Sequence, residues 1–129
     1  MPGGTQNLGS PGSQWQNLYV SGTADVGSLS IGGGATITKH LSAATTWDPA
    51  DLNDVGSPAA TPFTTKAVTV TGAAVGDTVV VGFDQPIPNG CTLTGAVTAL
   101  NIVTVTLVNN SATDVNLVSG NLRADVWQH

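Results

Sequence analysis

Few side chains in this chain are able to do chemistry. The histidines are His40 and His129, and Cys91 is the single cysteine. Hydrolysis by a Ser-His-Asp group needs a nucleophile within hydrogen-bond reach of an imidazole that a carboxylate orients. Serines and aspartates are present, but no Gly-x-Ser-x-Gly elbow occurs, and His129 is the last residue, where orientation is poorly controlled. His40 alternates with Thr36 and Thr38, which marks it as a surface or interface imidazole. A symmetry axis gathering three copies of one histidine would make a metal site, but no spacing in the sequence points to one. Cys91 has neither a cation nor a histidine near it in sequence, so it reads as a small apolar filler. Asp48, Asp51 and Asp54 recur at intervals of three in a loop. Hard cations take loop carboxylates, but the alternating Asp-x-Asp-x-Asp-Gly pattern is missing, and turn and cap roles are expected instead. No carboxylate pair for glycosidase chemistry is marked out either. The sequence therefore assigns no catalytic residue, no cofactor and no metal.

Trp47 and Trp127 remain. Indole rings stack on sugars, and they also pack cores and interfaces. Both follow apparent strands, and together with His40 they form a candidate oligomer or ligand surface. Trp127 has the parity opposite to Leu122, Ala124 and Val126, which puts it on an outer face.

The elements that would position these groups are strands. Ala67-Val68-Thr69-Val70-Thr71 and Ile102-Val103-Thr104-Val105-Thr106-Leu107 alternate apolar and threonine side chains with period two, one face buried and one wet. Six strands are expected: 35–41, 64–71, 78–83, 92–99, 102–108 and 121–127. Leu100-Asn101 makes a hairpin of the fourth and fifth. In the first, Ile37 and Leu41 share a face, with Lys39 between them at the rim. The run Val79-Val80-Val81 predicts a central strand buried on both faces. Residues 48–62 form a loop, with one helical turn over 51–53. The expected fold is all-β: a β-sandwich or jelly-roll-like domain over 35–129, preceded by an extended N-terminal arm over 1–34.

Composition agrees. Only 9% of the 129 residues are charged, against roughly 25% in ordinary soluble chains. All eight acidic residues are Asp, which suits turns and caps, and the 16 Gly and 7 Pro interrupt long elements. Three basic residues, Lys39, Lys66 and Arg123, in a chain of net charge −5 argue against nucleic-acid binding and against a polybasic membrane surface. No apolar run approaches the length of a membrane-spanning helix. Met1-Pro2-Gly3-Gly4 lacks the basic and apolar regions of a signal peptide, so the chain is expected to stay where it is made unless it leaves in a particle.

The arm is rich in Gly and Ser and cannot bury enough surface to fold alone. It carries one apolar cluster, Trp15, Leu18, Tyr19 and Val20, which reads as an anchor onto another surface or a fold-back onto its own domain. Gly32-Gly33-Gly34 is a hinge, not a phosphate loop, since no helix start or Lys follows it.

The stretch Asn7-Leu8-Gly9-Ser10 followed by Trp15-Gln16-Asn17-Leu18-Tyr19-Val20-Ser21-Gly22-Thr23-Ala24 resembles a segment of tailed-bacteriophage fibres and related virion proteins, where it precedes β-rich modules. Ile37-Thr38-Lys39-His40-Leu41-Ser42, Val68-Thr69-Val70-Thr71-Gly72-Ala73, Val75-Gly76-Asp77-Thr78-Val79, Asn101-Ile102-Val103-Thr104-Val105 and Ser119-Gly120-Asn121-Leu122-Arg123 are similar to a β-domain of phage and cyanophage structural proteins. The resemblance implies an oligomeric, usually trimeric, protein on the exterior of a virion, made in the host cytoplasm. A fibre has a shaft and a tip, whereas this chain has an arm and one domain, which favours a capsid decoration (cement) protein. The expected partners are then further copies of itself, as a homotrimer, and the major capsid protein or another virion protein. The alternative is a tail or head fibre, or an adhesin module binding host glycan through Trp47, Trp127 and loop Asp and Asn residues.

Overall fold

The computed structural model describes residue 12 and residues 17–54 and 61–129. Its strands are β1 (Lys39–Trp47), β2 (Phe63–Thr69), β3 (Thr78–Phe83), β4 (Cys91–Ala99), β5 (Ile102–Asn109) and β6 (Gly120–Gln128). They form two antiparallel three-stranded sheets, ordered β1-β6-β3 and β2-β5-β4. The sheets pack face to face, with β3 against β4 and β1 against β2, so the fold is an all-β sandwich.

Period-two patterning builds the core. Val103, Val105 and Leu107 of β5 face Leu122, Ala124 and Val126 of β6, and all six are fully buried. Leu41, Ala43, Val79, Val81, Phe83 and Leu93 close around them. The two sheets approach closely at Gly95: a Cβ there would lie 2.5 Å from Val81 Cγ1 and 3.1 Å from Val79 Cγ1. On the edge strand β2, Lys66 has the inward parity of Val68 and is half-buried.

Three expectations are corrected. The first strand begins at Lys39 and runs on to Trp47, while Ile37 makes only an isolated bridge to Leu29. Pairing with β6 along the whole of 39–47 overrides the weak strand preference of Ser42, Ala43 and Ala44. Val79-Val80-Val81 lies on an edge strand, because β3 pairs with β6 alone, and Val80 is 56% exposed. Leu52 forms a bridge with Val115 in place of a helical turn at 51–53.

Side chains lock the loops. Asn101, at φ 63°, turns β4 into β5 after an irregularity between Val97 and Ala99. Its Oδ1 accepts the Gly72 N–H at 2.6 Å, tying that hairpin to the β2–β3 connection. Gly72 itself has φ 96°, which a residue with a Cβ rarely adopts. At the other end, fully buried Asn109 donates from Nδ2 to the carbonyls of Leu52 (3.3 Å), Asn53 (3.1 Å) and Thr113 (2.9 Å). Its Oδ1 accepts from Ser111 N at 2.9 Å and Ser111 Oγ at 2.6 Å.

Candidate functional site

Antiparallel register places the chemistry-bearing residues on the outer face of the β1-β6-β3 sheet. On the central strand, Trp127 stands between His40 and Thr78, Asp125 between Ser42 and Val80, and Arg123 between Ala44 and Gly82. Residues directly across a sheet, and diagonally one step away, are within side-chain reach. The His40 and Trp127 rings stack with centroids 4.1 Å apart and planes 21° from parallel. His40 Nε2 lies 3.1 Å from Asp125 Oδ1. Arg123 Nε donates to Ser42 Oγ at 3.2 Å and lies 3.6 Å from Asp125 Oδ2.

Asp125 is the hub of this cluster. The Ser42 hydroxyl, then His40 and Arg123, hold its carboxyl below the ordinary carboxylate range, against the effect of burial. The Ser42 hydroxyl thus serves the carboxylate and the guanidinium. The arrangement aligns an imidazole, a carboxylate and a guanidinium; it does not present a serine to a histidine base. These groups, with Val80, line an open depression of ≈ 420 Å³. A smaller one of ≈ 190 Å³ lies on the far side of the His40–Trp127 pair, lined also by Val26, Leu29, Ile37 and Lys39.

The other expected sites divide. Trp47 is 4% exposed and packs edge-on against Phe83, with ring centroids 5.8 Å apart. It is therefore a core residue, and its expected place on a ligand surface is corrected: it is the last inward position of β1. Leu18, Tyr19 and Val20 are exposed, Tyr19 at 89%, whereas Trp15 lies outside the described residues. Among the described residues no three His, Cys or Asp side chains converge into a metal-binding group. Asp51 lines a depression with Asn53, Asp114 and Asn116, and Asp114 Oδ1 accepts the Asp54 N–H at 2.9 Å, which ties two loops far apart in sequence. Cys91 is half-buried with its thiol raised by burial, which keeps it protonated and unreactive at neutral pH. Sequence reasoning missed Ser42, Val80, Arg123 and Asp125. The parity that placed Trp127 outside places Arg123 and Asp125 beside it, and that signal was available.

A pH prediction arises here. Asp77 is held low by the Ala74 N–H and Gln128, Asp84 by the Asn121 backbone N–H, and Asp125 by Ser42. All three lie below their ordinary 3.8 in the fold, so the unfolded chain takes up protons first as pH falls. Their stabilisation is complete above that ordinary value and is lost as pH drops through the lower folded values. Thermal melting followed from neutral pH to about pH 2 should fall steeply only below about pH 4. A flat profile there would refute this.

Comparison with protein-family models, with curated proteins and with solved structures finds no match.

Proposed function

We propose that this chain is a non-enzymatic structural protein of a tailed-phage virion that decorates the capsid. The observation that carries the reading is the apolar arm. Leu18, Tyr19, Val20, Val26, Leu29 and Ile31 are exposed on it, while the sandwich beside them has a complete core of its own. Large apolar side chains grouped on an exposed segment mark a surface that a partner covers. The outer face of the β2-β5-β4 sheet supports the same reading. Its outward residues are Phe63, Thr65, Ala67 and Thr69 on β2, Thr92, Thr94, Ala96 and Thr98 on β4, and Ile102, Thr104, Thr106 and Val108 on β5, none of them charged. Covering such a face desolvates no charge, and its threonine hydroxyls are able to hydrogen-bond across a contact. Three copies associate through it, and the arms run along capsid-protein edges, so that many modest contacts hold the shell together. The resemblance of the arm and strands to phage virion proteins supplies the setting.

The test is occupancy on purified particles. Removing residues 1–34 is expected to leave a sandwich with an unchanged β circular-dichroism spectrum that no longer cosediments with capsids. Full occupancy by that truncated chain would overturn the arm-anchor reading. Joint replacement of Leu18 and Tyr19 by Ala is expected to weaken attachment by about 2 kcal/mol per arm, read as a shift in the concentration for half-saturation.

A further inference from the structure

The outer face of the β1-β6-β3 sheet carries the charge that the outer face of the β2-β5-β4 sheet lacks. Arg123 stands between Ala44 and Gly82, and a Cβ placed at Gly82 would meet nothing within 4 Å. His40, Val80, Arg123, Asp125 and Trp127 line an open depression of ≈ 420 Å³ on this face, within the roughly 300–1,000 Å³ of small-molecule sites.

Its lining has two characters. Trp127 and the exposed Val80 offer aromatic and aliphatic surface. Asp125 and Arg123 offer planar, paired acceptors and donors. A pyranose ring needs both: an apolar C–H face to rest on an indole, and vicinal hydroxyls that reach a carboxylate or a guanidinium together. The polar groups are already held. Asp125 is fixed by His40 and Arg123, and Arg123 uses its Nε–H on Ser42, one of five guanidinium donors. Groups fixed before binding lose little freedom on it.

Charge narrows the ligand. The chain is −5 overall with three Lys and Arg residues, and two of these, Lys39 and Arg123, line the two adjoining depressions together with His40. Asp125 is the one carboxylate among the described residues that line them. Among the described residues, Arg123 is the one Lys or Arg side chain that lines the larger depression, and Lys39 lies beyond the His40–Trp127 pair. We infer that this groove binds an acidic saccharide, its ring on Trp127 and Val80, its hydroxyls on Asp125, and its carboxylate on the Arg123 guanidinium. This site does not depend on the capsid reading, because it lies on the sheet opposite the uncharged face.

The experiment is titration of the full chain with glucuronate-terminated and glucose-terminated oligosaccharides, followed by NMR shifts of the indole N–H signals and by a glycan array. The glucuronate probe is expected to bind and to move the Trp127 signal, with the glucose probe at least tenfold weaker. Val80→Trp, at an exposed position, fills the depression without disturbing the cluster and is expected to abolish binding while the melting temperature stays unchanged. Trp127→Ala is expected to weaken binding more than tenfold, and Arg123→Gln to erase the preference for the acidic probe while retaining neutral binding. No binding by the parent chain, equal affinity for the two probes, or undiminished binding by Val80→Trp would each overturn the assignment. The Val80→Trp chain is expected to occupy particles like the parent, which separates failure at this groove from failure of the arm.

Discussion

Replacing Asn109 by leucine is expected to destabilise the sandwich by about 4 kcal/mol, a large part of the roughly 5–15 kcal/mol that holds a domain of this size. The branching and heavy-atom count are conserved, so most of the loss comes from hydrogen bonding. Asn109 is fully buried at the end of β5, and its amide bonds the carbonyls of Leu52, Asn53 and Thr113 and accepts from the Ser111 N–H, the Ser111 hydroxyl and the Cys91 thiol. Leucine removes all of these bonds; the Leu52 and Thr113 carbonyls keep the Val115 N–H and the Ser111 hydroxyl, whereas the Asn53 carbonyl and the Ser111 N–H lose the partner described, and each buried group left unmade costs about 1–3 kcal/mol. Ser111→Ala removes only one hydroxyl from the same network and is expected to cost about 1 kcal/mol. Urea unfolding of both variants measures the difference. A loss below about 1 kcal/mol for Asn109→Leu would show that the amide is not the staple described. Native-state hydrogen exchange adds a local signature: the Leu52 and Val115 amides, which bond each other's carbonyls at 2.9 Å, should open before the strands do.

Gly95→Val is expected to cost about 3 kcal/mol, by overpacking. The site has no room between the sheets, since even a bare Cβ would fall 2.5 Å from Val81 Cγ1. Val79 and Val81 are β-branched and have few rotamers with which to retreat, so β3 itself must move away from β4. Gly82→Ala is the control on the neighbouring sheet: its added methyl meets nothing within 4 Å, and a change within about 0.5 kcal/mol is expected. If the two substitutions proved equal in a denaturation series, the close approach of the sheets would be refuted. Because Val80 and Gly82 lie on the opposite face of the same strand, a displaced β3 should also deform the saccharide groove. Gly95→Val should therefore weaken sugar binding from the far side of the sheet.

Much of the strand plan was legible, because alternation is a local property. The expected strand 78–83 coincides with β3, and the inward set Leu122, Ala124 and Val126 is fully buried in β6. The failures are those of pairing. Val79-Val80-Val81 looks the same in sequence whether its strand is central or at an edge; only the sheet order makes β3 an edge and exposes Val80. Ser42 through Ala44 carries little strand preference and is a strand because β6 lies beside it. The candidate site was half legible. Parity placed Trp127 outside, but nothing local says that His40 is its cross-strand neighbour, or that Ser42 faces Asp125. Trp47 and Trp127 were alike in sequence; the inward register of β1 buries the first, and the outward register of β6 leaves the second beside the groove. Asn109 lies just past the expected strand 102–108, and its side-chain bonds reach segments brought close only by the fold.

The inward Lys66 has a consequence for production in many copies. Among the described residues, two three-stranded sheets leave four unpaired borders, and each is a template on which identical chains could polymerise. On β2, any chain adding alongside would have to bury the Lys66 ammonium, a strong deterrent. β4 is kinked by its irregularity at Val97 and Ala99, and β3 is short and runs on to Pro86 and Pro88. β1, nine residues long and rich in small side chains, is the border left with least protection. Fibrous by-products of overexpression, if they form, should therefore grow from β1, and a charge placed at Ala44 should suppress them without touching the core.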